Sequence, residues 1–217
     1  MTSLIAYILR RLREEHELRG RREPGVYWVT DLIYCPLKRQ LALKYPELAE
    51  PRYDPWLVFG RIVHEGLEYL LLQQYIDSPD AEVLLEQEFK RVIQGPEVEV
   101  EVVGRPDAVV RINGHIDTLY EFKTGFPGQQ LPHDHHLLQV RLYLWLTGAS
   151  VGWLVYVMPD RITEYQVVKR VSEDEVVALL LDDKTPRWDW ECKKCPYRAY
   201  CPKYGQKDEG SKQARLG

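Results

Sequence analysis

No stretch of this chain approaches the ~20 consecutive apolar residues that a membrane-spanning helix needs. No secretory leader is expected in this sequence either: the apolar segment Leu4–Leu9 is short, and its arginines follow it instead of preceding it. A cytoplasmic location is the expectation. Positive charge is not in excess. Lysine and arginine number 29 against 33 acidic residues, a formal net charge of −4, so contact with nucleic acid has to be local. The clear basic concentration, Arg10–Arg22, holds six arginines against three glutamates and reads as a solvated helix face. Repeats and low-complexity tracts are absent. Asn113 is the sole asparagine, a composition that fits a heat-adapted chain.

What is present describes a folded globular chain. Hydrophobic residues make up 45% and charged residues 29% of 217 positions, enough to bury a core without staples. The expectation is one mixed α/β domain over residues 1–204 and a polar tail over 205–217. Leu4, Ile5, Ile8, Leu9 and Leu12 have helical spacing, ending at Gly20. Thr30 suits an N-cap for a second helix that Pro36 bends or restarts. A third helix is expected over about 56–76, with His64 near its middle. The alternation from Glu97 to Val102 marks a half-buried strand with its glutamates in water. Asp107–Arg111, Asn113-Gly114 and Ile116–Lys123 read as a hairpin. A helix over 134–147, strands near 151–158 and 163–169, and a helix over 172–183 capped by Ser172 and Glu175 complete the pattern.

The hairpin carries the most informative residues, Pro106-Asp107 and Glu121-Phe122-Lys123. Glu121 and Lys123 are two apart on a strand and share a face. By itself that is a surface ion pair of little energetic worth. With Asp107 on the neighbouring strand, the two carboxylates make a hard-oxygen site for Mg²⁺ or Mn²⁺. The lysine could then hold an attacking water or the charge developing on phosphorus. A solvated hairpin and a metal site both stand at this point, and register separates them. A plain two-residue turn at Asn113-Gly114 sets Glu121 opposite Pro106. A three-residue loop, or a bulge near Arg105–Asp107, sets it opposite Asp107. The expectation is one of the latter two.

Two helices could complete the site. His64 on the third helix is either a core histidine or, near carboxylates, a nitrogen donor that favours Mn²⁺. His136, Gln139 and Tyr143 share one face of the following helix. They read either as an ordinary amphipathic pattern or as polar groups that orient a water, a lysine or a phosphate. His133, His135 and His136 fan outward at a helix start, so zinc is not expected there.

Cys192-x2-Cys195-x5-Cys201 needs a fourth thiolate to close a tetrahedral set, and Cys35 is the cysteine that remains. Three ligands plus one distant one, with Pro196 and Pro202 behind two of them, fit an iron–sulfur cluster better than a two-hook zinc site. Such a cluster would clasp 28–50 to 188–204, closing a loop worth on the order of 4–5 kcal/mol in unfolded-chain entropy.

Together these residues resemble a known family. Pro106-Asp107…Glu121-Phe122-Lys123 matches the PD-(D/E)xK nuclease signature, and His64 upstream with Gln139-x3-Tyr143 downstream resembles its RecB-like branch. The four cysteines narrow the resemblance to the RecB-like exonucleases among CRISPR-associated (Cas) proteins, over residues 28–203. The resemblance implies a restriction-endonuclease-like mixed sheet flanked by helices. It implies Mn²⁺ or Mg²⁺ on His64, Asp107, Glu121 and the Phe122 carbonyl, with Lys123 positioning water and Gln139 and Tyr143 supporting it. A [4Fe–4S] or [2Fe–2S] cluster on Cys35, Cys192, Cys195 and Cys201 is implied as well. The expected substrate is single-stranded DNA cut from the 5′ end, during trimming of new spacers beside the spacer integrase. Arg61 and Arg141 are candidate DNA contacts by position. A RecB-like repair nuclease outside CRISPR, or a non-catalytic iron–sulfur DNA-binding module, are the alternatives.

Overall fold

The computed structural model describes residues 3–18, 22–49, 54–94 and 99–204. Residues 19–21, 97 and 98 and the tail 205–217, on which parts of the sequence reading fall, lie outside the described residues. The elements run α1 (Leu4–Leu18), β1 (Val26–Trp28), α2 (Val29–Ile33), α3 (Pro36–Lys44), α4 (Pro55–Gln74), β2 (Ala81–Leu85), β3 (Phe89–Gln94), β4 (Glu99–Gly104), β5 (Ala108–Ile112) and β6 (His115–Thr124). They continue with α5 (Asp134–Thr147), β7 (Val151–Met158), β8 (Arg161–Val167), α6 (Glu173–Leu181) and α7 (Glu191–Lys194).

The strands form two sheets rather than one. A three-stranded sheet has the order β1-β4-β3 and a five-stranded sheet the order β2-β5-β6-β7-β8. The larger is mixed: β6 and β7 run parallel, and every other neighbouring pair in it is antiparallel. That parallel pair requires a crossover, which α5 supplies. α5 packs on β7 and α2, while α4 packs on β6 and β2, so helices flank the larger sheet.

Local sequence explains most boundaries. Pro36 stands at the first turn of α3, where its missing N–H costs nothing, so the proline restarts the helix. Asp31, not Thr30, closes the start of α2: its carboxylate accepts the Trp28 N–H at 2.9 Å. Asp54 caps α4 through the Trp56 N–H, and Ser172 with Glu175 forms the expected capping box on α6. Along β4, Val100 and Val102 are buried, and Glu99 faces water. The core joins Val109 and Leu119 of the central strands to Val140 and Leu144 of α5 and Leu154 of β7.

Candidate active site

The β5–β6 hairpin decides which carboxylates meet. Asn113 (φ 50°) and Gly114 (φ 79°) both occupy the left-handed region, the geometry of a two-residue type I′ turn. Ile112 therefore pairs with His115 and Arg111 with Ile116. Between Arg111 and Val110 the register slips by one, so that Val110 faces Thr118 and Ala108 faces Tyr120. Asp117 is the extra residue. Its carbonyl, released from the ladder, accepts the Ser150 N–H at 2.8 Å. Continuing the shifted register sets Asp107 against Glu121. The three-residue loop is thus not formed, and the bulge lies at Asp117 instead of Arg105–Asp107. The consequence for the carboxylates is the one expected.

Asp107 accepts the Phe122 N–H at 2.6 Å through Oδ2, and its Oδ1 stands 3.4 Å from His64 Nδ1. Phe122 thus joins the site through its backbone. Lys123 Nζ donates to Glu121 Oε1 at 2.6 Å, while Glu121 Oε2 is buried with no partner. Burial, followed by the Asp107 charge, pushes the Glu121 carboxyl up against the opposing pull of Lys123. Burial would lower Lys123, but Glu121 and Asp107 outweigh it and hold the ammonium charged. Burial likewise lowers His64, and the hydrogen bond and charge of Asp107 more than reverse it.

Gln139 and Tyr143 are buried on α5 and face the same cleft. Gln139 Nε2 lies 3.3 Å from the Tyr143 oxygen, and the Tyr143 hydroxyl donates to the Arg105 carbonyl at 3.1 Å. The pair thereby fixes the backbone two residues before Asp107. Arg61 lines the cleft, paired with Glu86 at 2.5 Å and Glu65 at 3.1 Å. Arg141 is held by Glu175 of α6 at 3.0 Å and is not among the cleft-lining residues. Its position two residues from Gln139 turns it to another face of α5.

His136 enters the cleft on the helix face it shares with Gln139 and Tyr143, as their spacing implied, whereas Glu68, behind His64 and outside the cleft lining, was not weighed from the sequence. His136 lines the cleft, its Nδ1 2.9 Å from the Tyr156 hydroxyl. The same oxygen accepts the His133 N–H at 3.1 Å. Burial and then Lys123 hold His136 neutral, down to about 2. Glu68, one turn after His64, is buried with Oε1 unpartnered and is pushed up to about 7 by burial. The H-x3-E spacing was its available signal.

The whole cleft measures about 640 Å³. Among the described residues no three His, Cys, Asp or Glu side chains stand at metal-ligand spacing. The donor chemistry nonetheless fits a divalent cation, because two facing carboxylates leave a buried oxygen without a partner.

The cysteines meet elsewhere. Cys35, Cys192, Cys195 and Cys201 all line one cavity of about 300 Å³, with Lys38, Lys194 and Arg198 around it. All four thiols are free. Four thiols facing one space fit a thiolate-bound metal centre. The protein ties the two ends together by itself as well. Buried Glu191 accepts the Cys35 N–H at 2.8 Å and the Trp188 N–H at 2.9 Å. Trp188 Nε1 donates to the Ile33 carbonyl at 3.0 Å, and Arg187 donates to the Leu32 carbonyl.

No family model matches the chain. The CRISPR-associated exonuclease Cas4 of Saccharolobus solfataricus is 35% identical to it over 201 residues, which cover 90% of this chain and 96% of that protein. The solved crystal structure of SSO0001 shares 35% identity and superposes with a TM-score of 0.83, covering 93% of this chain and 97% of that one. LHK-Exo, an alkaline exonuclease from Laribacter hongkongensis, stands farther off at 15% identity and a TM-score of 0.45, with 77% and 91% covered. With such identity spread over nearly the whole of both chains, this chain belongs to the family of the CRISPR-associated exonuclease Cas4.

Proposed function

We propose that the chain is a metal-dependent exonuclease that shortens single-stranded DNA from its 5′ end, in the cytoplasm, while new spacers are prepared for a spacer integrase. The observation that carries the nuclease reading is the convergence of Asp107, Glu121 and Lys123 in one cleft with a buried carboxylate oxygen left over. The polarity, the single strand and the integrase rest on the family resemblance. Residues 1–204 would act as one nuclease domain.

His64, Asp107, Glu121 and the Phe122 carbonyl are the groups that would hold Mn²⁺ or Mg²⁺. Such an ion supplies neutralisation of the phosphate and acidification of water. Lys123, kept charged between two carboxylates, positions the nucleophilic water and faces the charge that develops on phosphorus. Asp107 is locked by the Phe122 N–H, and Tyr143 with Gln139 holds the Arg105 backbone in place, so the carboxylate is oriented in advance. The four cysteines would hold an iron–sulfur cluster, [4Fe–4S] or [2Fe–2S], as a structural clasp.

Single-stranded DNA labelled separately at each end, incubated with Mn²⁺ and with chelator, tests this. Metal-dependent release of the 5′ label ahead of the 3′ label is expected. Release of the 3′ label first reverses the polarity, and intact DNA with well-folded protein rejects the enzyme. Purified protein should be brown with thiolate-bound iron; colourless protein holding stoichiometric zinc would refute the cluster.

A further inference from the structure

Three large aromatic side chains gather at the mouth of the cleft. Trp56 and Phe59 come from the first turns of α4, and Phe126 from the loop three residues beyond Lys123. The Trp56 ring lies 4.4 Å from that of Phe126 at 64°, and 5.8 Å from that of Phe59 at 87°. They remain 49%, 44% and 39% exposed, for Trp56, Phe126 and Phe59 in turn. Trp56 itself lines the cleft together with Asp107, Glu121 and Lys123, so the apolar patch is continuous with the catalytic groups.

The charges of the cleft say what this patch receives. Arg22, Arg61, Arg105 and Lys123 line it. Arg22 is paired with Asp31, Arg61 with Glu65 and Glu86, Arg105 with Glu86 and Glu88, and Lys123 with Glu121. Each of the four cations is thus already paired, and Glu86, Asp107 and Glu121 line the cleft beside them. A duplex, which hides its base faces and is gripped through phosphates, finds little attraction there. An unpaired strand has something else to offer, because each base presents a π-face to an aromatic ring.

We infer that Trp56, with Phe126 and Phe59 behind it, is a base-stacking rim that holds an unpaired nucleotide of single-stranded DNA next to the catalytic carboxylates. Stacking, rather than phosphate attraction, supplies the grip. This rests on the nuclease reading above for the identity of the substrate, and it is measured without catalysis.

The test is fluorescence anisotropy of a labelled single-stranded oligonucleotide in chelator, with full-length protein. Wild type should bind it, and log K should fall with log[salt] at a slope shallower than about −2. Trp56→Ala should weaken binding about tenfold or more, and Phe126→Ala by a smaller factor, with both melting like wild type. An oligonucleotide with abasic positions should bind wild type as weakly as the intact one binds Trp56→Ala. Three results overturn the inference: no binding by wild type in chelator, equal binding by wild type and Trp56→Ala, or a steep salt slope unaffected by either variant. Loss of self-association in Trp56→Ala with unchanged DNA binding would assign the patch to a second copy, and would also overturn it. Metal-dependent cleavage by the same wild-type preparation is scored separately. Binding without cleavage sinks the nuclease and spares the rim, and cleavage with an inert Trp56→Ala does the reverse.

Discussion

Replacing Glu191 by alanine removes a carboxylate that ties the N-terminal thiol segment to the C-terminal hook. Its two oxygens take the Cys35 N–H at 2.8 Å and the Trp188 N–H at 2.9 Å, and the side chain is only 8% exposed. Hydrogen bonds to a charged group contribute about 1.5–3 kcal/mol each when buried, and a buried donor left alone carries its desolvation cost. Both N–H groups are partly buried, so water recovers some of the loss, and the carboxylate regains its own hydration in the unfolded chain. A destabilisation of about 3 kcal/mol is expected. For a chain of this size that lowers Tm by about 6–12 °C. Glu191→Gln keeps one acceptor oxygen and should fall roughly half as far. The assay is thermal unfolding followed by circular dichroism, with iron per chain measured on the same samples. A Glu191→Ala protein that melts within about a degree of wild type would refute the clasp as built by the protein's own hydrogen bonds.

Other perturbations bear on separate parts of the account. Glu68 is raised from an ordinary 4.5 to about 7 by burial, with Glu86 and Asp107 adding to it against Arg61. The folded chain therefore holds this proton more tightly than the unfolded one, so stability falls as pH rises from about 4.5 to 7. Glu68→Gln should remove that slope and gain about 1–2 kcal/mol at pH near 8, after allowance for partial solvent screening. Urea melts at low and high pH check it, and an equal gain at both would count against the assignment. At Gly104 a Cβ would stand 2.6 Å from Leu146, 2.8 Å from Tyr143 and 2.9 Å from Val29. Gly104→Ala should cost about 1–3 kcal/mol and slow cleavage further by displacing Tyr143 from the Arg105 carbonyl. Unimpaired cleavage in that variant would show that Tyr143 positions nothing.

Much of the site is written in short-range pattern. Glu121 and Lys123 share a face because strands have period two. Gln139 and Tyr143 share one because they are a helical turn apart. The elements that sequence located well, such as α5 and the hairpin, carry their own caps and turn residues. Register was harder, since Asn113-Gly114 does form the tight turn that would have separated the carboxylates. The bulge at Asp117 that restores them depends on the Ser150 N–H, which comes from beyond α5. Glu191, Arg187 and Trp188 were silent in sequence for the same reason: their partners lie 155 or 156 residues upstream. The division into two sheets rests on β3 and β4 pairing with each other and with β1 instead of with the larger sheet, a choice of neighbour that alternation within a strand does not encode. His136 reaches the cleft on the helix face of Gln139 and Tyr143, but its contact with Tyr156, on a strand beyond α5, is a tertiary one that the helix spacing does not show.

In the proposed mechanism Asp107 and Glu121 form one cation site that drives hydrolysis with Lys123. It is tested most directly by Mn²⁺ titration calorimetry and single-turnover cleavage of single-stranded DNA on wild type, Asp107→Ala, Glu121→Ala and Lys123→Ala. Both carboxylate variants should lose Mn²⁺ binding and cleavage together, while Lys123→Ala should lose cleavage and largely keep the metal. Cleavage that survives in either carboxylate variant, or a lysine variant that loses Mn²⁺ as completely as they do, would contradict it.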